Sequence, residues 1–290
     1  MRKHLRRFNT LLAGTAVILL TAGSTAVAAQ DVETGSGDGD AAVQVRLGVA
    51  LMELGRNDEA RVEFLRALEA APEHPLVHFH LGVLLAEEGE SEAAEEHLTT
   101  AQRLSPGDAA VHYALGELLR RSDRQGEALE QFAAALEIDP GAEASLLGEA
   151  EALVDLGRVG EALTKLEAAR GIVPESRPLD FALAWILAAA PDVEMRDGAR
   201  ALELAQKAFA TRRSVGALEV VAAAQAEVGQ CEAAAATQRT VVEQALAFSQ
   251  PAPVIARLES SLEEYEKDPP CALPGGGEPS DRPAWPRSSP

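Results

Sequence analysis

The sequence predicts an all-α chain of stacked helical hairpins, an α-solenoid, and three observations carry that prediction. First, Gly48, Gly82 and Gly116 stand 34 residues apart, each after a leucine (Leu47, Leu81, Leu115). Leu51, Leu85, Leu119 and Leu153 keep the same step, as do Ala60, Ala94, Ala128 and Ala162, Phe64, Leu98, Phe132 and Leu166, and Ala67, Ala101, Ala135 and Ala169. Second, each period reads helix, turn, helix, stop, closed by Pro72, Pro106, Pro140 or Pro174. Third, small residues recur where two helices must approach, Gly48, Gly82 and Gly116 on the first helix and Ala60, Ala94 and Ala128 on the second. A bulkier side chain there would force the helices apart. A two-helix unit cannot bury its apolar face alone, so neighbours must stack.

Taken in order, the chain opens with Arg2, Lys3, Arg6 and Arg7, an apolar run over 11–20, and small residues ending Ala26-Val27-Ala28-Ala29. That is the pattern of a secretory signal peptide over 1–29, with cleavage after Ala28 or Ala29. The alternative is an uncleaved leader anchoring the chain in the inner membrane. Residues 30–40, acidic and Gly-rich, read as a disordered linker. Four hairpins follow at 41–74, 75–108, 109–142 and 143–176. In the third, the turn 122–126 (Ser-Asp-Arg-Gln-Gly) precedes a second helix over Glu127–Glu137. Two degenerate hairpins occupy 177–214 and 215–248. The first has an opened turn, Pro191–Gly198, between helices Leu179–Ala189 and Ala199–Ala210; the second recovers the register through Gly229, Ala234 and Val241. A capping helix lies within 249–267, near Pro253–Glu266, with Ile255, Leu258, Leu262 and Tyr265 on one face. Residues 268–290, rich in Pro and Gly, read as a disordered tail.

Composition narrows the partners. The chain has 26 basic and 46 acidic residues, net −20, and removal of the leader takes it to −24. Such a field repels nucleic acid and acidic headgroups. The two cysteines, Cys231 and Cys271, are too few for a disulfide scaffold, and a single bridge between them is open in an exported chain.

The repeat resembles the tetratricopeptide repeat family. The family pattern W-x2-L-G-x2-Y…A-x3-F…P appears as Gln44-x2-Leu47-Gly48-x2-Leu51…Ala60-x3-Phe64…Pro72. It recurs from His78 and from His112, and more loosely in the fourth unit, where Glu149 and Ala150 replace Leu-Gly. The family's Trp and Tyr are absent from all four units. The resemblance implies a right-handed superhelix whose concave face, lined by the first helices, holds a ligand. In that face one register runs Val45, Phe79, Tyr113, Leu147, Phe181, with Trp185 a turn further on and Arg120 and Arg121 beside it. An apolar ladder of this kind suits an extended peptide or partner helix. The rival reading is that these side chains pack between repeats.

No catalytic signature is present: there is no G-x-S-x-G, H-E-x-x-H, Walker-type or G-x-G-x-x-G motif in a credible context. The histidines of the first half, among them His78 and His112 in one register, offer too few converging ligands for a metal and read instead as partly buried imidazoles in the place of the family's Trp. The expectation is a non-enzymatic scaffold of the bacterial envelope, periplasmic or secreted, with no cofactor or metal and a protein or peptide partner. Its alternatives are an accessory recognition subunit of an envelope enzyme and a self-associating array.

Overall fold

The structure is a computed structural model that describes residues 36–209 and 214–267. Among these residues it contains thirteen α-helices and no strand. They are α1 (Ser36–Glu53), α2 (Asn57–Ala70), α3 (Pro75–Glu88), α4 (Ser91–Leu104), α5 (Ala109–Arg121), α6 (Gln125–Ile138), α7 (Glu143–Asp155), α8 (Val159–Ile172), α9 (Arg177–Ala189), α10 (Gly198–Phe209), α11 (Val215–Glu227), α12 (Cys231–Ala247) and α13 (Ala252–Glu266). The helices divide into two compact units that meet in sequence between Gly148 and Glu149. The expected signal peptide and the tail, with Cys271, lie outside the described residues.

One boundary differs from expectation. Helix α1 begins at Ser36, inside the stretch read as a linker. Gly37 and Gly39 weaken a helix, but Asp40 stands near its amino terminus, where the helix dipole favours a carboxylate. Ala41 is already fully buried and ties the start of the helix to the core.

In the first unit α1 packs on α2, α3 on α4 and α5 on α6, and successive hairpins join through α2–α3 and α4–α5. The repeat registers are its core: Ala60, Ala94 and Ala128, and Phe64, Leu98 and Phe132, are all fully buried. The glycine register has a steric cause. A Cβ on Gly82 would meet Leu98 at 2.7 Å, and one on Gly116 would meet Phe132 at 2.7 Å. Phe132 is hemmed from a second side by Gly148, whose Cβ would lie 2.6 Å from the ring. The turns between paired helices share a left-handed residue at one step of the repeat: Gly55 (φ 70°), Gly89 (φ 82°), Asp123 (φ 64°) and Gly157 (φ 74°). Such a residue ends the first helix and reverses the chain, and glycine adopts it without a Cβ penalty.

Second helices start in a recurrent way. Arg56, Arg124 and Arg158 stand just before α2, α6 and α8 and make no side-chain cap. Each guanidinium instead grips the glutamate three residues on, Glu59, Glu127 or Glu161, at 2.5–2.7 Å. These pairs are exposed, so solvent screens them and they contribute little to stability.

The second unit is arranged around α9, in which Leu179, Asp180 and every residue from Ala182 to Ala189 are buried. Helices α8, α10 and α11 all pack against it. Asp180, fully buried, is held by Arg170 Nε at 2.7 Å and Lys207 Nζ at 2.9 Å. The opened turn is ordered by Asp192, which accepts from Glu194 N, and by Arg196 Nε, which donates to Ala190 O at 2.7 Å. Helix α13 closes the unit through Leu258, in a cluster with Val241, Val242 and Ala245, and through Tyr265, against Ala222, Ala226, Ala234 and Ala235. Arg257 of α13 pairs with Glu219 of α11.

Candidate functional site

The face of first helices read as a ligand wall is partly core. Val45 is 5% exposed and clusters with Ala41, Ala67, Ala71 and Val77. Phe79, 7% exposed, belongs to the cluster around Leu81, Leu84 and Leu98 and meets the His80 ring edge-on at 5.0 Å. Trp185, 6% exposed, sits in the buried run of α9. These three are packing residues rather than an open wall. Periodicity places a residue on a face; it does not say which neighbouring helix covers that face.

Tyr113 and Leu147 in the first unit, and Phe181 in the second, keep part of their surface open. The Tyr113 ring lies 6.0 Å from that of Phe132, so the repeat core supports one side of it. The ring tip of Phe181 would stand 3.9 Å from a Cβ added to Gly216.

The two expected cations differ in availability. Arg120 is 10% exposed and turned back on Glu117, with both contacts at 3.2 Å. Arg121 is 59% exposed and reaches Glu117 only at 3.7 Å. Partial burial holds the Glu87 carboxyl above its usual range, against the opposing pull of Arg121. An acidic border with one accessible guanidinium is the electrostatic character of this part of the unit.

The histidines do the work of a cap between repeats. His78 Nε2 donates to Pro72 O at 2.9 Å and His112 Nε2 to Pro106 O at 3.1 Å. A carbonyl only accepts, so Nε2 carries the proton in both rings, and in His78 Nδ1 is left to accept. His97 Nδ1 donates to His78 Nδ1 at 2.9 Å, while His112 Nδ1 lies 3.2 Å from Gln102 Nε2 and 3.0 Å from Gln131 Oε1. The same imidazole thus closes two successive hairpins onto the proline that ended the one before. No group of three or more His, Cys, Asp or Glu among the described residues is arranged to hold a metal ion. No helix among them is long and apolar enough to cross a membrane.

Helical hairpins with a buried small–large register, stacked side by side, define an all-α repeat protein. The tetratricopeptide repeat model matches residues 45–109 and 81–143, so this stretch of the chain consists of tetratricopeptide repeats. Among solved structures it is similar to the pilF protein of Pseudomonas aeruginosa, at 16% identity over 78% of this chain and 99% of that one, with a TM-score of 0.64. It is also similar to a tetratricopeptide repeat protein of Parabacteroides merdae, at 19% identity over 78% of this chain and 84% of that one, with a TM-score of 0.57. At these identities the likeness is one of fold. No curated protein matches the chain in sequence.

Proposed function

We propose that the chain is a non-catalytic protein-interaction scaffold of the bacterial envelope that binds a peptide or partner helix on its first helices. The observation that carries this reading is the retention of Tyr113 and Leu147 in the first unit at one step of the repeat, each with surface left over after packing. A large apolar side chain kept partly open at successive repeats is an anchor site for a chain laid across them. The acidic border and the net charge of −20 favour a partner with apolar anchors and some Lys or Arg. The leader pattern supports a periplasmic or secreted location.

Crosslinking in the native envelope followed by mass spectrometry identifies the partner. Binding is then measured for the wild type and for Tyr113→Ala and Leu147→Ala, with circular dichroism as the control on folding. Each substitution weakens binding by roughly tenfold, the order expected for truncating an interface anchor. A partner bound equally well by the double variant Tyr113→Ala/Leu147→Ala would remove this surface from the account. An accessory role beside an envelope enzyme would show as a hydrolase or transferase in the crosslinked set. A bridge between Cys231 and Cys271 would show as one disulfide-linked peptide pair in a non-reducing digest.

A further inference from the structure

Helix α1 is apolar on two opposite faces. One, formed by Ala41, Val45, Gly48 and Leu51, is buried against the rest of the first unit. The other, Val43, Leu47, Ala50 and Leu54, runs straight along the helix at spacings of four, three and four. It is open to solvent, with Val43 55%, Leu47 47% and Leu54 70% exposed. At the same register of the next hairpins stand Val77, Leu81 and Leu84, and Val111, Leu115 and Leu118, none more than 4% exposed. There the stripe is covered by the second helix of the preceding hairpin, α2 over α3 and α4 over α5. Helix α1 therefore carries the docking face of an interior repeat with nothing among the described residues upon it.

We propose that this face is covered by the same face of a second copy of the chain, in an antiparallel, two-fold α1–α1 contact. Charge argues for a second copy. Arg46 and Glu53 lie on the same flank of the stripe, both exposed, and among the described residues neither belongs to an ion pair. When two such helices pack antiparallel about a two-fold axis, like flanks meet and run in opposite directions. Val43 then faces Leu54 of the second copy, Leu47 faces its Ala50, and Arg46 lies beside its Glu53, twice by symmetry. The other end of the chain argues against a head-to-tail contact. Helix α13 turns Leu258 and Tyr265 inward and presents Glu259, Ser260 and Glu263 to solvent, a polar surface that does not complement the α1 stripe. A two-fold contact uses up the open face of both copies and closes as a dimer.

Sedimentation equilibrium of the full chain over a range of concentrations tests this. A reversible monomer–dimer equilibrium is the expected result. Leu47→Glu, at a position already open in the monomer, abolishes the dimer and leaves the helical circular dichroism unchanged. Arg46→Glu and Glu53→Arg each place like charges together and weaken the dimer by roughly tenfold. The double variant Arg46→Glu/Glu53→Arg restores it. A wild-type chain that stays monomeric at every concentration overturns the proposal, and so does a dimer indifferent to Leu47→Glu. Exchange protection of α1 amides in such a monomer would point to residues 1–35 as the cover instead.

Discussion

His80 shows how one side chain ties stability to pH. Its ring stacks on Phe64 at 5.8 Å and 8° and meets Phe79 edge-on. Burial beside these rings lowers its pKa from the ordinary 6.5 to about 4. Burial, and then the neighbouring His78, lowers that of His97 as well. A base whose folded pKa is depressed is neutral in the fold while the unfolded chain takes up a proton. The unfolded state therefore binds more protons between the two values, and stability falls as pH drops from about 6.5 to about 4. The loss from His80 approaches about 3 kcal/mol at the acid end, an upper value because part of the ring reaches solvent. Urea unfolding of the wild type at stepped pH should show this decline, and His80→Phe should flatten most of it. An identical slope in the variant would place the proton uptake elsewhere.

Among the helical elements, the two interfaces between the first three hairpins use one pair of positions with opposite signs. Arg61 of α2 reaches Glu90 at 2.8 Å, together with Glu88 at 2.9 Å. One repeat later Glu95 of α4 stands where Arg61 stood and Arg124 where Glu90 stood, 2.7 Å apart. Docking the third hairpin directly on the first would set Arg124 against Arg61, so the alternation disfavours misordered stacking. Arg61→Glu is expected to lower stability slightly, and Arg61→Glu/Glu90→Arg to recover part of the loss, since Glu88 remains unmatched. Chemical denaturation of the four members of the cycle measures it; strictly additive costs would show that the pair carries no coupling. The helices themselves were legible in the sequence. The opened turn and the capping helix fall within two residues of their observed limits. Three things were not. The left-handed register at Gly55, Gly89, Asp123 and Gly157 is masked by the aspartate in its third place. The clearance that Gly148 gives Phe132 comes from outside the Leu-Gly position, where the fourth unit only looks degenerate. The burial of Val45, Phe79 and Trp185 depends on which helices lie over them, and a single helix's periodicity holds no record of that.

Taken whole, the chain has two kinds of packing, and they should unfold differently. In the first unit each hairpin touches its sequence neighbours, through α2–α3 and α4–α5, with lighter contacts between successive first helices. Stability in such a stack is a sum of hairpin and nearest-neighbour terms, so damage stays local. Leu98 is fully buried beneath Gly82, and Leu98→Ala removes about 2–5 kcal/mol from that point. In the second unit α9 touches α8, α10 and α11 and is buried along nearly its whole length. Leu183, also fully buried, sits within it, and every one of those helices leans on the same core. Leu98→Ala should therefore raise amide exchange most in α3 and α4, less in α2 and α5, and least in α1. Leu183→Ala should raise it in α8, α9, α10 and α11 together. Hydrogen exchange read by mass spectrometry on the two variants distinguishes a gradient from a step. A uniform rise across α1–α6 in Leu98→Ala would mean that the first unit folds as one cooperative body, and the nearest-neighbour description of it would have to be given up.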